Sequence, residues 1–246
     1  MMNADKCKLL VTKHSEETSL TINGESITGS KSVKLLGVTL DNKMELNEHV
    51  AKLCSKVSAK LHALARISPY MHTENIRKLM KAFIESQFSY CPLVWMFHNR
   101  TLNKRINRLH GRALRITYKN PELSFDELLD LDKSFTIHHR NLQKLAIELY
   151  KVLNNLAPGP MNDIFKLASN ECDVRDKVFE TFNIHSVLHG TETIAFRGAK
   201  LWPSIPLEIR NTTSLSSFRD KIRQWKPQDC LCRLCRPYIK NLGFLK

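Results

Sequence analysis

The apolar residues change period near Asn47, and that change sorts the chain into a short β part and a long helical part. Before it, alternation at period two fits best; after it, apolar residues recur every three to four positions. Ser19-Leu20-Thr21-Ile22 and Glu25-Ser26-Ile27-Thr28 flank the pair Asn23-Gly24. Both central residues of a type I′ turn need positive φ, so Asn-Gly between two β-prone runs predicts a hairpin. Lys8 to Thr12 is another short apolar run, and Val33 to Leu40 reads as a further strand. These pieces predict a small antiparallel sheet, marginal unless it packs on something else.

Beyond Asn47, Val50, Leu53, Val57, Leu61 and Leu64 form the stripe of an amphipathic helix ending near Pro69. Thr73 is the expected cap of a second helix, with Glu74 in its first turn and Ile76, Leu79, Met80, Phe83 and Ile84 on its apolar face. A third helix is expected over 101–117. Ser124-Phe125-Asp126-Glu127 has the form of a capping box. Leu142, Leu145, Ala146, Leu149, Val152 and Leu153 mark a long helix stopped by Ala157-Pro158-Gly159-Pro160. A linker or a loop with one helical turn follows over 158–175. Glu192 to Arg197 reads as a strand, and Ser216 to Trp225 as a helix with Phe218, Ile222 and Trp225 on one face. The expected fold class is α+β and predominantly α: a small antiparallel β part over 1–42, a helical bundle over 43–157 and a basic C-terminal region over 158–246.

Composition narrows the partners. With 38 Lys+Arg against 24 Asp+Glu, the 246 residues carry a formal net charge of +14, which points to a polyanion. The longest apolar run, Cys91 to Phe97, falls far short of the ~20 residues that span a bilayer. The opening segment MMNADKCKLLVTKHSEE has no apolar stretch of the kind a secretory signal needs. The expectation is an intracellular chain, nuclear or cytoplasmic and not secreted, with no membrane partner.

The charge is concentrated on the third helix. No Asp or Glu occurs between Ser86 and Pro121, a stretch that holds Arg100, Lys104, Arg105, Arg108, Arg112, Arg115 and Lys119. On a helical wheel Leu102, Ile106, Leu109, Ala113 and Ile116 share one stripe, and Lys104, Arg105, Arg108, Arg112, Arg115 and Lys119 lie opposite. Solvated faces usually alternate in sign, whereas this one does not. Planar guanidinium forks bond phosphate bidentately and stay protonated, so this pattern points to a phosphate backbone.

Near the C-terminus, Cys230, Cys232 and Cys235 present three thiols in six residues, with Arg233, Arg236 and Lys240 around them; Arg233 and Arg236 are further candidates for nucleic-acid binding. Zinc takes four ligands, and this spacing supplies three. His138, His139, His185 or His189 are candidates for the fourth; a reduced thiol cluster beside a basic tail is the alternative. The scattered Cys7, Cys54, Cys91 and Cys172 read as small buried hydrophobes.

Catalytic patterns are missing from the sequence. It has no Gly-rich phosphate loop, no HExxH and no nucleophile elbow. Asp41, Glu45 and Glu48 suit capping and the helix dipole better than metal binding. Cys91 with His98 is a poor nucleophile pair in an apolar run. Trp95, Trp202 and Trp225 read as core. No small-molecule substrate is expected.

Several segments resemble those of one family. Lys34-Leu35-Leu36-Gly37-Val38-Thr39-Leu40-Asp41, followed by Asn47-Glu48-His49-Val50, resembles the end of the palm in non-LTR (LINE-type) retrotransposon reverse transcriptases. Asn3 to Leu10 is similar to the strand before it, and Gln87 to Trp95 to the Tyr-and-Trp signature of the thumb. Leu201-Trp202-Pro203-Ser204-Ile205-Pro206 and the helix from Phe218 to Trp225 resemble the C-terminal extension. The resemblance implies a palm remnant, a thumb-like bundle and a basic extension, with Lys34, Leu36, Gly37 and Val38 on a primer-grip-like strand. Polymerisation in that family needs two metals held by Asp carboxylates, including a Tyr-x-Asp-Asp turn that this sequence lacks. The expected function is therefore binding of RNA, DNA or an RNA–DNA hybrid without polymerase activity, with a separately encoded palm as a further partner. A structural or protein-interaction bundle, or a non-functional truncated retroelement product, is the alternative.

Overall fold

The computed structural model describes residues 7–12, 18–96, 100–167, 179–180 and 193–226. Cys230, Cys232, Cys235, Arg233 and Arg236 lie outside the described residues, as do His98, Cys172, His185 and His189. Within them the fold is α+β and predominantly α, with a small β part near the N-terminus. Two compact units divide the chain between Leu128 and Leu129, so the helices over 43–157 are shared between them.

In the first unit, strands β2 (Ser19–Ile22) and β3 (Glu25–Ser30) form the expected hairpin, pairing Ser19 with Thr28 and Ile22 with Glu25. Asn23 and Gly24 supply the positive φ values of 53° and 85°. Strand β1 (Leu9–Leu10) joins β3 in parallel, not antiparallel as expected. The single strand expected over 33–40 is instead a second hairpin, β4 (Ser32–Leu35) and β5 (Val38–Asp41). Leu36 and Gly37, at φ 46° and 87°, reverse the chain there. Apolar side chains on these hairpins remain uncovered: Leu20 is 52% and Leu36 82% exposed.

Helix α1 (Asn47–Ile67) starts behind a loop closed by Asp41, whose carboxylate accepts the amides of Lys43, Glu45 and Leu46 at 3.1, 3.0 and 2.7 Å. Asp41 thus closes the loop and does not cap the helix: the N-cap is Leu46, with no side-chain cap bond, while Glu48 lies in the first turn. Val50, Cys54, Val57, Leu61 and Leu64 are buried along one face. Helix α2 (Thr73–Met80) passes through a π-turn, Lys81–Glu85, into α3 (Ser86–Ser89). Its N-cap is His72, with no side-chain bond, so Thr73 sits one position inside the helix and is not the cap. The wider π-turn rotates the register: Ile84 and Phe88 stay buried, while Phe83, expected in the core, is 53% exposed with Lys60 Nζ 5.9 Å from its ring centre. Helices α4 (Pro92–Trp95) and α5 (Arg100–Tyr118) follow. Helix α6 (Phe125–Asp132) carries the capping box, with Ser124 N–H donating to Glu127 and Glu127 N–H to Ser124 Oγ.

The second unit holds α7 (Ile137–Leu153), α8 (Gly159–Ile164), α9 (Ile194–Leu201), α10 (Leu207–Arg210) and α11 (Leu215–Gln224). The strand expected over 192–197 is replaced by α9. Thr193 Oγ1 accepts the Phe196 amide and caps the helix, so a β-branched pair that looked like strand marks a helix start. An aromatic core joins the elements: Tyr150 stacks on Phe218 at 4.2 Å, and Trp202 on Phe218 at 6.1 Å. Tyr150 Oη donates to the Thr212 carbonyl, and Gln143 Nε2 to that of Trp225. Trp95 and Trp202 are core residues; Trp225 is half-buried.

Candidate functional site

Helix α5 buries a face different from its apolar stripe. Asn103, Ile106, Asn107, His110, Ala113, Leu114 and Thr117 are buried, whereas Leu102, Leu109 and Ile116 are half-exposed. The buried face is thus turned by about a quarter of the wheel from the expected one. Four polar side chains sit within that buried face. His110 Nε2 stands 3.5 Å from Glu85 Oε1 on the π-turn, its ring meets Phe125 edge-on at 5.5 Å, and Thr117 Oγ1 donates to the Ala113 carbonyl. Four polar side chains in one buried face are invisible to a search for apolar periodicity.

The rotation keeps the cations outside. Lys104, Arg105, Arg108, Arg112 and Lys119 are all exposed. Arg115 is half-buried at the edge of the array, with Nη2 donating to the Leu123 carbonyl at 3.4 Å. No carboxylate pairs with Lys104, Arg108 or Arg112 among the described residues. Two contacts set the neighbouring helix: Arg105 Nη2 donates to Ser55 Oγ at 3.3 Å, and Lys119 Nζ to the Met71 carbonyl at 3.2 Å. Ser55 and Arg105 lie within the two helices, and Met71 and Lys119 just beyond their C-terminal ends, so the helices lie side by side and run the same way.

Sequence reasoning missed the contribution of α1. Its outward residues include Lys52, Lys56, His62 and Arg66, with the small Ser55, Ala59 and Ala63 between them. The signal was present, since no Asp or Glu occurs between Glu48 and Glu74. Glu48 itself pairs with Lys52, and that contact, with a hydrogen bond from Ser32, holds its carboxyl below the usual range. The result is a two-helix surface dominated by positive charge, with small exposed residues along α1. Its positive potential suits a polyanion. In contrast, Cys54 on the buried face of α1 has its thiol pushed up by burial, away from the thiolate form.

The primer-grip-like residues lie on the second hairpin, with Lys34 exposed on β4, Leu36 and Gly37 in the turn and Val38 buried on β5. Tyr90 Oη donates to the Leu36 carbonyl, and its ring lies 3.4 Å from where a Gly37 Cβ would stand. That is ordinary contact distance, so it is the positive φ of the turn that calls for glycine at 37. Cys91, expected to be buried, is exposed at the start of α4, where its φ of 42° turns the chain. Among the described residues, no group of His, Cys, Asp or Glu is placed to hold a metal ion. No described helix is long and apolar enough to cross a membrane. No family model, curated protein or solved structure matches the chain.

Proposed function

We propose that the chain is a nucleic-acid-binding fragment resembling the post-catalytic part of a LINE-type RNA-directed DNA polymerase. The observation that carries this reading is the paired α1–α5 surface, where Lys104, Arg108 and Arg112 face outward with no carboxylate partner among the described residues. Arginines at i and i+4 on one helix face stand about 6 Å apart, close to the spacing of successive phosphates along a strand. Contacts of this kind set affinity and register without reading sequence.

The ligand is RNA, DNA or an RNA–DNA hybrid, held at an intracellular site. Without a Tyr-x-Asp-Asp segment the chain does not polymerise alone, and a separately supplied palm is its natural protein partner. The exposed Leu20, Leu35 and Leu36 on the hairpins favour that partner, because a palm would cover them. The same side chains favour a second reading, a protein-interaction bundle that binds no nucleic acid. Zinc at Cys230, Cys232 and Cys235 remains a separate proposal on the sequence spacing alone.

Titrating the purified chain into labelled RNA–DNA hybrid, duplex DNA and single-stranded RNA over a salt series tests the reading. Log-linear weakening with salt on at least one ligand supports it. Failure to bind any of the three at low salt leaves the protein-interaction bundle.

A further inference from the structure

The cationic surface has an aromatic end. Helix α1 passes into a 3-10 turn, Ser68–Tyr70, and the Tyr70 ring is 88% exposed. No other large apolar or aromatic side chain described is so far out in solvent. Tyr70 is also adjacent in sequence to Met71, whose carbonyl accepts the Lys119 ammonium. That contact fixes Tyr70 at the end of the α1–α5 pair where the array finishes. Exposed His72 and Arg66 lie beside it in the chain.

At 88% exposed in a short 3-10 turn, the Tyr70 ring packs on little of the protein. Placed at the end of a track of guanidinium and ammonium groups, it has the chemistry of a stacking platform. Phosphates follow the cations, and an unpaired base at the end of the track meets a flat π-face. A base inside a duplex cannot present its face in this way. We infer that Tyr70 stacks on an unpaired base, so that the α1–α5 surface takes a single strand, or a single-stranded overhang, in preference to a closed duplex.

This inference rests on the nucleic-acid reading above and adds the strand type.

The test uses the full chain, with a single-stranded oligonucleotide carrying 2-aminopurine and a blunt duplex of equal length. Four proteins are compared: wild type, Tyr70→Ala, Tyr70→Trp and Arg108→Ala/Arg112→Ala. Stacking quenches 2-aminopurine, so wild type and Tyr70→Trp are expected to quench it and Tyr70→Ala to leave it bright. Removing one stacked base is expected to weaken single-strand binding by roughly five- to tenfold or more. The salt slope stays that of wild type, because tyrosine carries no charge. Duplex affinity is expected to be unchanged.

Wild-type affinity and quenching in Tyr70→Ala overturn the inference. So does a loss of equal size on duplex and single strand. If Arg108→Ala/Arg112→Ala weakens binding while Tyr70→Ala does not, the nucleic-acid reading stands and the stacking claim falls. If wild type binds neither ligand, both fall together.

Discussion

His110 Nε2 lies 3.5 Å from Glu85 Oε1, and both side chains are almost wholly buried, at 0% and 8% exposed. The contact joins the middle of α5 to a π-turn. With His110 held inward, Arg108 and Arg112 point outward. A buried polar group is costly unless matched, so each of these two side chains is costly to keep without the other.

Removing either partner is therefore expected to destabilise the first unit by about 2–4 kcal/mol, because the other is left buried. Glu85→Ala, His110→Ala and the double variant form a cycle read by denaturant unfolding. The double variant is expected to lose less than the two single losses added together. Additive losses would show that the two side chains act independently.

The second unit has a tight spot at Gly198. A Cβ there would stand 2.6 Å from Phe165 Cε1 and 3.0 Å from Leu149 Cδ2. Overpacking of this kind costs about 1–3 kcal/mol. Gly198→Ala is expected to lower thermal stability, although alanine favours helix intrinsically by about 1 kcal/mol. Unchanged or raised stability, by calorimetry, would mean that the ring and the leucine move aside freely.

Acid is expected to weaken the first unit through His49. Its Nδ1 accepts the Thr39 amide at 3.2 Å, a bond that needs the nitrogen unprotonated. Burial holds the ring below its ordinary value, and the Lys52 ammonium adds to that. The unfolded chain thus takes up the proton at higher pH than the folded one. Stability from this group is complete above the unfolded value of about 6.5 and declines as pH falls from there toward the depressed folded value. His49→Gln is expected to show a shallower fall in melting temperature between about pH 7 and about pH 5. Equal slopes in the two proteins would remove His49 as the cause.

Much of this architecture is legible in sequence because apolar burial follows helical periodicity in α1 and α7, where propensity and packing agree. Asn23-Gly24 is legible for a local reason, since few residue pairs tolerate two positive φ values. What escaped depends on partners distant in the chain. The π-turn turned Phe83 out, and nothing local to 81–85 announces it. Leu36, an ordinary strand residue by type, sits at positive φ because Gly37 and Tyr90 complete the turn. At α9, Thr193-Ile194 have β propensity, yet the threonine caps a helix that Phe165 and Leu149 pack against. Of the site, the cations of α5 were legible from their uncompensated charge. Which of them stand free was not, because Arg115 is drawn to Leu123 by a contact across a loop. The share taken by α1 depends on the tertiary pairing of Arg105 with Ser55, fifty residues away in the chain.

The most direct measurement is the salt dependence of RNA–DNA hybrid binding in wild type and in Arg108→Ala/Arg112→Ala. A matched control, Lys200→Ala/Arg219→Ala, removes two exposed cations from the second unit instead. Each phosphate that is no longer neutralised is expected to reduce the slope of log affinity against log salt by about 0.9. The α5 variant should then bind more weakly at low salt with a slope shallower by nearly two, while the control keeps the wild-type slope. A slope unchanged in the α5 variant, or shifted equally in the control, would contradict the assignment of the phosphate-binding surface to this helix pair.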